Sequence, residues 1–318
     1  MTPAGRSRNL RIGLIDMNNG VPNQAIRSFK FIIATFAERV RARNPGLTVT
    51  TTHVQPRNLG EAPPADCDLY LSSGGPDAPV DGFKESWATG FRSFIDRIVD
   101  GQLQHGSSAA SLFAVCYSFE IAVMHFGIAG MIPRERKFGI MPVYPTDEGL
   151  ASPMFAPFGD RLFVWEHRSW QAVDLDEKKL RELGGTLLAR ESRDGHSKGR
   201  GLMAFRFASG VEGTIFHPEA DRPGVLNWLE RPEQAKAVIE TYGELIYRRM
   251  CKTIDDPTRL ARTYALLLPG WMARSFNALA LDRDWAPVDM PTYDAAVGLD
   301  AFGRPSAAAA NVAAETNS

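Results

Sequence analysis

A chain of 318 residues, 44% of them hydrophobic and 23% charged, is long enough for one large domain and has an ordinary globular balance. A formal net charge of -1 offers no electrostatic footprint for nucleic acid or an anionic membrane, and no apolar run approaches the roughly 20 residues that span a bilayer. Cys67, Cys116 and Cys251 are odd in number and far apart, which argues against a disulfide framework or a metal-binding pair. No motif calls for a metal or a cofactor.

A short basic N-terminus leads directly into residues 10–15, an apolar run that reads as a first strand. A secretory signal needs a longer apolar region, so a cytoplasmic protein is expected. Residues 18–23 form a turn. From about 24 to 43, Ile26, Phe29, Ile32, Ile33, Phe36 and Val40 fall at helical spacing. Residues 48–54 are rich in β-branched side chains and read as a second strand, and residues 68–73 as a third, ending in Gly74-Gly75-Pro76-Asp77. An amphipathic helix is expected over 83–99, a strand over 111–115 and a helix over 117–127 closed by Gly127.

The second half is richer in strands, with candidates at 136–144, 161–166, 186–191, 202–208 and 213–216. A helix is expected over 174–183, with Asp174 as its N-cap and Gly184 as its stop. A long helix follows over 232–254. Another spans about 257–281, interrupted at Leu268-Pro269-Gly270. Its apolar residues, Tyr264 to Leu268 with Trp271 and Phe276, are too many to leave exposed; packing on the domain or an oligomer contact would cover them. Residues 303–318, Ala-rich with Asn, Thr and Ser, are expected to be disordered. Alternation of strands and helices predicts an α/β chain with a mostly parallel sheet.

Three segments carry chemistry. Cys116 sits at a strand-to-helix junction, where a sharp turn exposes the sulfur and the helix dipole favours thiolate. His217 ends a strand pattern, Phe216-His217-Pro218-Glu219, with a carboxylate two residues on to orient the imidazole. The glycines of Ser73-Gly74-Gly75-Pro76 allow backbone N–H groups to face a site and, with the N–H of Tyr117, to form an oxyanion hole. Taken singly, each segment also has a plain structural reading: a buried thiol, helix-capping polar groups and a tight turn.

In order and spacing these segments resemble the class I glutamine amidotransferases of the Cys-His-Glu type. Phe216 to Glu219 and Ser73 to Pro76 match that family's motifs intact, while its Gly-x-Cys-x-Gly-x-Gln stands as Ala114-Val-Cys116-Tyr-Ser118-Phe-Glu120. The segment Leu162 to Ser169 resembles the one beside the substrate amide. The resemblance covers about residues 10–250 and implies a flavodoxin-like sheet and an amide hydrolase working through a γ-glutamyl thioester. Cys116 would be the nucleophile, His217 the base and acid, and Glu219 the orienter. Gly75 and Tyr117 would donate to the oxyanion, and Glu120, His167 and Ser169 would contact substrate.

The substrate implied is glutamine or another γ-glutamyl compound. An ionised Glu120 would repel a substrate carboxylate at about 4 Å by roughly 1 to 4 kcal/mol, whereas a protonated Glu120 would act much like the family's glutamine. Ser73 to Ala78 nearly matches the loop of ATP pyrophosphatases but lacks its final serine. The chain therefore reads as holding no synthetase, and a separate ammonia-accepting synthetase is an expected partner. Residues 1–250 form the expected amidotransferase-like domain, and 251–302 a helical extension without counterpart in it. A regulatory protein of the same fold, or an acyltransferase using the same triad, are the other readings.

Overall fold

The computed structural model describes residues 8–193 and 200–294. The tail expected at 303–318 and the end of the extension at 302 lie outside the described residues. Nine strands form one sheet: β1 (Asn9–Ile15), β2 (Thr48–Val54), β3 (Leu69–Ser72), β4 (Ser111–Val115), β5 (Gly130–Pro145), β6 (Leu162–Val173), β7 (Thr186–Arg190), β8 (Leu202–Ala208) and β9 (Val211–Thr214). The longer helices among those described are α1 (Gln24–Arg43), α4 (Ser86–His105), α5 (Tyr117–Phe126), α8 (Arg222–Leu229), α9 (Pro232–Tyr242), α10 (Glu244–Thr253) and α11 (Arg262–Arg283). The short ones are α2 (Pro56–Leu59), α3 (Pro79–Gly82), α6 (Asp147–Ala151) and α7 (Glu177–Glu182).

The strand order is β2-β1-β3-β4-β9-β8-β6-β5-β7. The β2-β1-β3-β4-β9 half is parallel. The β9-β8-β6-β5-β7 half is antiparallel. The sheet is therefore mixed, which corrects the expectation of a mostly parallel, flavodoxin-like one. The reason lies in the connections. Helices α1 and α4 supply the long crossovers that parallel neighbours need, whereas β8 and β9 are joined by a two-residue turn at Ser209-Gly210 and must run antiparallel.

Sequence pattern explains the parallel half. Leu10, Ile12, Leu14 and Ile15 of β1 are fully buried, as a strand covered on both faces requires. Asn23 caps α1 by accepting from the Ala25 N–H at 2.7 Å, and Phe29, Ile32, Ile33, Phe36 and Val40 form its buried stripe. Gly127, at φ 59°, ends α5 in the left-handed conformation.

The C-terminal region departs most from expectation. The single helix expected over 232–254 is split by Gly243, at φ 86° and ψ 157°, into α9 and α10, and α8 precedes them unpredicted. Trp165, Phe138, Val225, Leu229, Val238 and Met250 close a second apolar core beneath these helices. Helix α11 runs through Pro269 without the expected interruption. An interior proline costs about 3 kcal/mol. Leu267, Leu268, Trp271, Met272 and Phe276 are buried in the main core around it, and a buried side chain of this size contributes roughly 1.5 to 3 kcal/mol. The apolar face of this helix is thus covered by the chain itself. No helix of the described residues is long and apolar enough to cross a membrane.

Candidate active site

The carboxyl ends of the parallel strands converge on one cavity of about 650 Å³, the place where open α/β sheets collect ligands. Cys116 follows β4 directly. Its backbone is bent to φ 49° and ψ -107°, and its N–H donates to the Thr214 carbonyl at 2.8 Å. A non-glycine residue in that region carries on the order of 1 to 3 kcal/mol of strain, here held by the fully buried strand on one side and α5 on the other.

His217 lies three residues beyond the end of β9 rather than on it, and bridges to Trp165 of β6 through its N–H, 3.0 Å from the Trp165 carbonyl. Its Nδ1 meets Glu219 Oε1 at 2.8 Å, and the Cys116 thiol is near enough to act on the charge of the ring. Ser28 donates to the Glu219 carbonyl at 2.5 Å, which fixes the turn holding both residues. Burial pushes the Cys116 thiol up, against the pull of His217. Burial also opposes charge on His217, but Glu219 and then Cys116 outweigh it and hold the imidazole well above its ordinary value. An imidazole so placed is strong enough as a base to take the thiol proton when the sulfur attacks.

The third strand end forms the wall opposite. A Cβ on Gly74 would lie 2.9 Å from His217 Cε1 and 3.0 Å from Cys116 Cβ, so any side chain here would press on both residues. A Cβ on Gly75 would lie 2.0 Å from the Met17 carbonyl oxygen. The loop is held from outside by Arg57, which donates to the Met17 and Pro76 carbonyls at 2.9 Å each and to Asp77 at 2.7 Å. Arg57 also covers the buried Tyr117 ring at 4.2 Å. The Tyr117 side chain is thereby turned to the core. Its backbone N–H stands at the first position of α5, where helix geometry provides no acceptor.

The two replaced glycines of the nucleophile turn are accommodated. Ala114 pairs in register with Gly213 of β9, where a Cβ would meet the Ala114 carbonyl at 2.4 Å. Ser118 is fully buried, donates to the Ser73 carbonyl at 2.6 Å and lies 2.6 Å from the Ser72 hydroxyl. It ties α5 to the Gly74-Gly75 loop.

Glu120, His167 and Ser169 all line the cavity. Glu120 is 4% exposed, and burial pushes its carboxyl up to about 8 despite Arg168 and His217 nearby. Burial thus favours the neutral acid over the carboxylate. His167 is in the middle of β6 and not at a strand end as expected, because β6 continues to Val173. Burial, Arg136 and His217 push it down to about 3, and its Nε2 lies 2.7 Å from Arg136 Nη2. Ser169 is exposed on the same strand.

Sequence reasoning missed several cavity residues. Arg136 opens the strand expected over 136–144, and nothing in that pattern directs it to a cavity. Trp228 and Arg231 belong to a helix and turn that no pattern announced. Arg168 is held by Glu166 at 2.7 Å and Glu191 at 3.2 Å in a buried ion network with Lys137. Among the described residues no cluster of three or more His, Cys, Asp or Glu could hold a metal ion.

No family model matches the chain, and no curated protein does. Solved structures do. A glutamine amidotransferase from Methylobacillus flagellatus is 14% identical, with 89% of this chain and 98% of that one covered at a TM-score of 0.56. A glutamine amidotransferase from Thermotoga maritima is also 14% identical, with 86% and 97% covered at 0.54. The glutaminase domain of a Trypanosoma brucei CTPS with bound acivicin is 15% identical, with 66% and 86% covered at 0.45. At these identities the likeness is one of architecture: the chain has the fold of the glutamine amidotransferases.

Proposed function

We propose that this chain hydrolyses a side-chain amide by the route of a class I glutamine amidotransferase. The observation that carries the reading is the Cys116–His217–Glu219 array at the floor of the cavity. His217 takes the thiol proton as Cys116 Sγ attacks the amide carbonyl carbon. The oxyanion is received by the N–H groups of Gly75 and Tyr117. Collapse of the tetrahedral species breaks the C–N bond, and the proton on His217 passes to the leaving nitrogen, which departs as ammonia or an amine. Water, deprotonated by His217, then attacks the γ-glutamyl thioester, releasing the acid and restoring the thiol. Glu219 keeps Nδ1–H oriented and stabilises the imidazolium.

Glu120 is suited to the position of the family's glutamine because burial favours the protonated form of its carboxyl. As a neutral acid it both donates and accepts hydrogen bonds, and it does not repel a substrate carboxylate. The substrate is glutamine or a γ-glutamyl compound. Released ammonia would pass to a synthetase on a separate chain. Ammonia release from L-glutamine and from γ-glutamyl amides tests the reading: turnover by the wild type and none by Cys116→Ala supports it, and equal release by both proteins sinks it. The His217–Glu219 hydrogen bond and the turn held by Ser118 favour this over a regulatory protein that has lost the chemistry.

A further inference from the structure

Most charged groups lining the cavity are already paired within the protein. Asp221 binds Arg27 at 2.6 Å, Asp77 binds Arg57 at 2.7 Å, Glu219 binds His217, and Arg168 binds Glu166 and Glu191. Arg136 and Arg231 are different: both line the cavity, and among the described residues neither has a carboxylate partner. The Arg231 side chain donates to Asn227 Oδ1 at 3.2 Å.

Arg136 is aimed by an irregularity in the sheet. Between Pro133↔Trp170 and Lys137↔Arg168 the register shifts, so that residues 134–136 of β5 stand opposite Ser169 alone on β6. Bulges of this kind redirect side chains and recur beside active sites. The guanidinium is then braced: Nη2 donates to the neutral His167 ring at 2.7 Å, and His167 packs edge-on against Trp228 at 5.1 Å. A histidine as acceptor holds the cation without neutralising it. The remaining N–H groups of the planar fork stay open for a ligand, and a planar fork matches a carboxylate by two parallel hydrogen bonds.

We propose that Arg136, positioned by His167 and reinforced by the charge of Arg231, binds a carboxylate of the substrate and so sets specificity for anionic amides. This rests on the reading of Cys116 as the nucleophile acting in the same cavity. The carboxylate belongs either to the acyl portion or to the leaving amine. Either source gives the same requirement: the amide presented to Cys116 carries a negative charge that the chain itself leaves unmatched.

The test uses Cys116→Ala protein, so that binding is read without turnover, by fluorescence of Trp165, Trp170 and Trp228, which line the cavity. L-glutamine against L-glutamine α-amide probes the acyl side. γ-L-glutamylglycine against γ-L-glutamylmethylamide probes the leaving side. The acid of at least one pair should bind about tenfold more tightly than its neutral counterpart. Adding Arg136→Ala should bring that ratio to within about twofold, at an unchanged melting temperature. His167→Leu should lower the ratio, and His167→Gln, which restores an acceptor, should recover it. A ratio that Arg136→Ala leaves intact, the absence of any preference for the acids, or no binding of any probe overturns the proposal. Carboxylate-selective binding that depends on Arg136, in a protein whose intact Cys116 form releases no ammonia, sinks the hydrolase reading and leaves the subsite standing.

Discussion

Glu120→Gln should change how the stability of this protein depends on pH. Burial moves the Glu120 carboxyl from 4.5 to about 8, against the opposing pull of Arg168 and His217. The folded chain therefore binds this proton more tightly than the unfolded chain does. The stabilisation is complete below about pH 4.5 and is lost as pH rises through about 8. At about 1.36 kcal/mol per pH unit, the full loss is roughly 5 kcal/mol, of which about 4 falls between pH 5 and 9. Glutamine has no proton to lose, so the variant lacks this slope while retaining the slopes of the other groups. Urea unfolding of both proteins across pH 5 to 9 reads the difference directly. The wild type should weaken relative to Glu120→Gln by about 4 kcal/mol as pH rises. A gap that stays constant, or a wild type that gains on the variant at high pH, would refute the claim that Glu120 is buried as a neutral acid. In activity, the same substitution should preserve turnover at pH 7 and remove a decline above about pH 8.

Three further substitutions probe the site and its frame. Gly74→Ala should lower kcat by about 100-fold with little change in melting temperature, because the added methyl intrudes at 2.9 Å on His217 and misplaces it from Cys116; kcat within a few-fold of wild type would contradict the close approach. Glu219→Gln removes the carboxylate that raises His217, so it should reduce kcat on the order of 10³-fold and shift the pH–rate profile. Trp271→Ala should cost about 3 to 5 kcal/mol in a single urea transition, since Trp271 is 2% exposed in the main core; a loss below about 1 kcal/mol would mean that α11 is separable from the domain.

What the sequence disclosed follows from which signals are local. The helical stripe of α1, the β-branched run of β2 and the cysteine at the end of β4 are set by residues adjacent in the chain, and each element formed where its pattern lay. Cys116, His217, Glu219 and Gly75 could be proposed from the sequence because the chemistry of thiol, imidazole, carboxylate and glycine is written in the residues themselves. The antiparallel half was not legible, because strand direction depends on connection length and pairing rather than on periodicity. Pro269 misled because its local cost was set against burial around Trp271 that only tertiary packing supplies. Arg136 was hidden for a related reason. The strand pattern over 136–144 carries no sign of the register shift opposite Ser169 that accompanies its place at the cavity.

Cys116 is proposed here as a nucleophile for a γ-glutamyl carbonyl. The most direct measurement is the intact mass of the protein after exposure to 6-diazo-5-oxo-L-norleucine, followed by peptide mapping. One adduct is expected, on Cys116, absent in Cys116→Ala, strongly slowed in His217→Ala and prevented by a saturating competing amide. A folded wild-type protein that remains unmodified, or that is labelled on Cys67 or Cys251 instead, would contradict it.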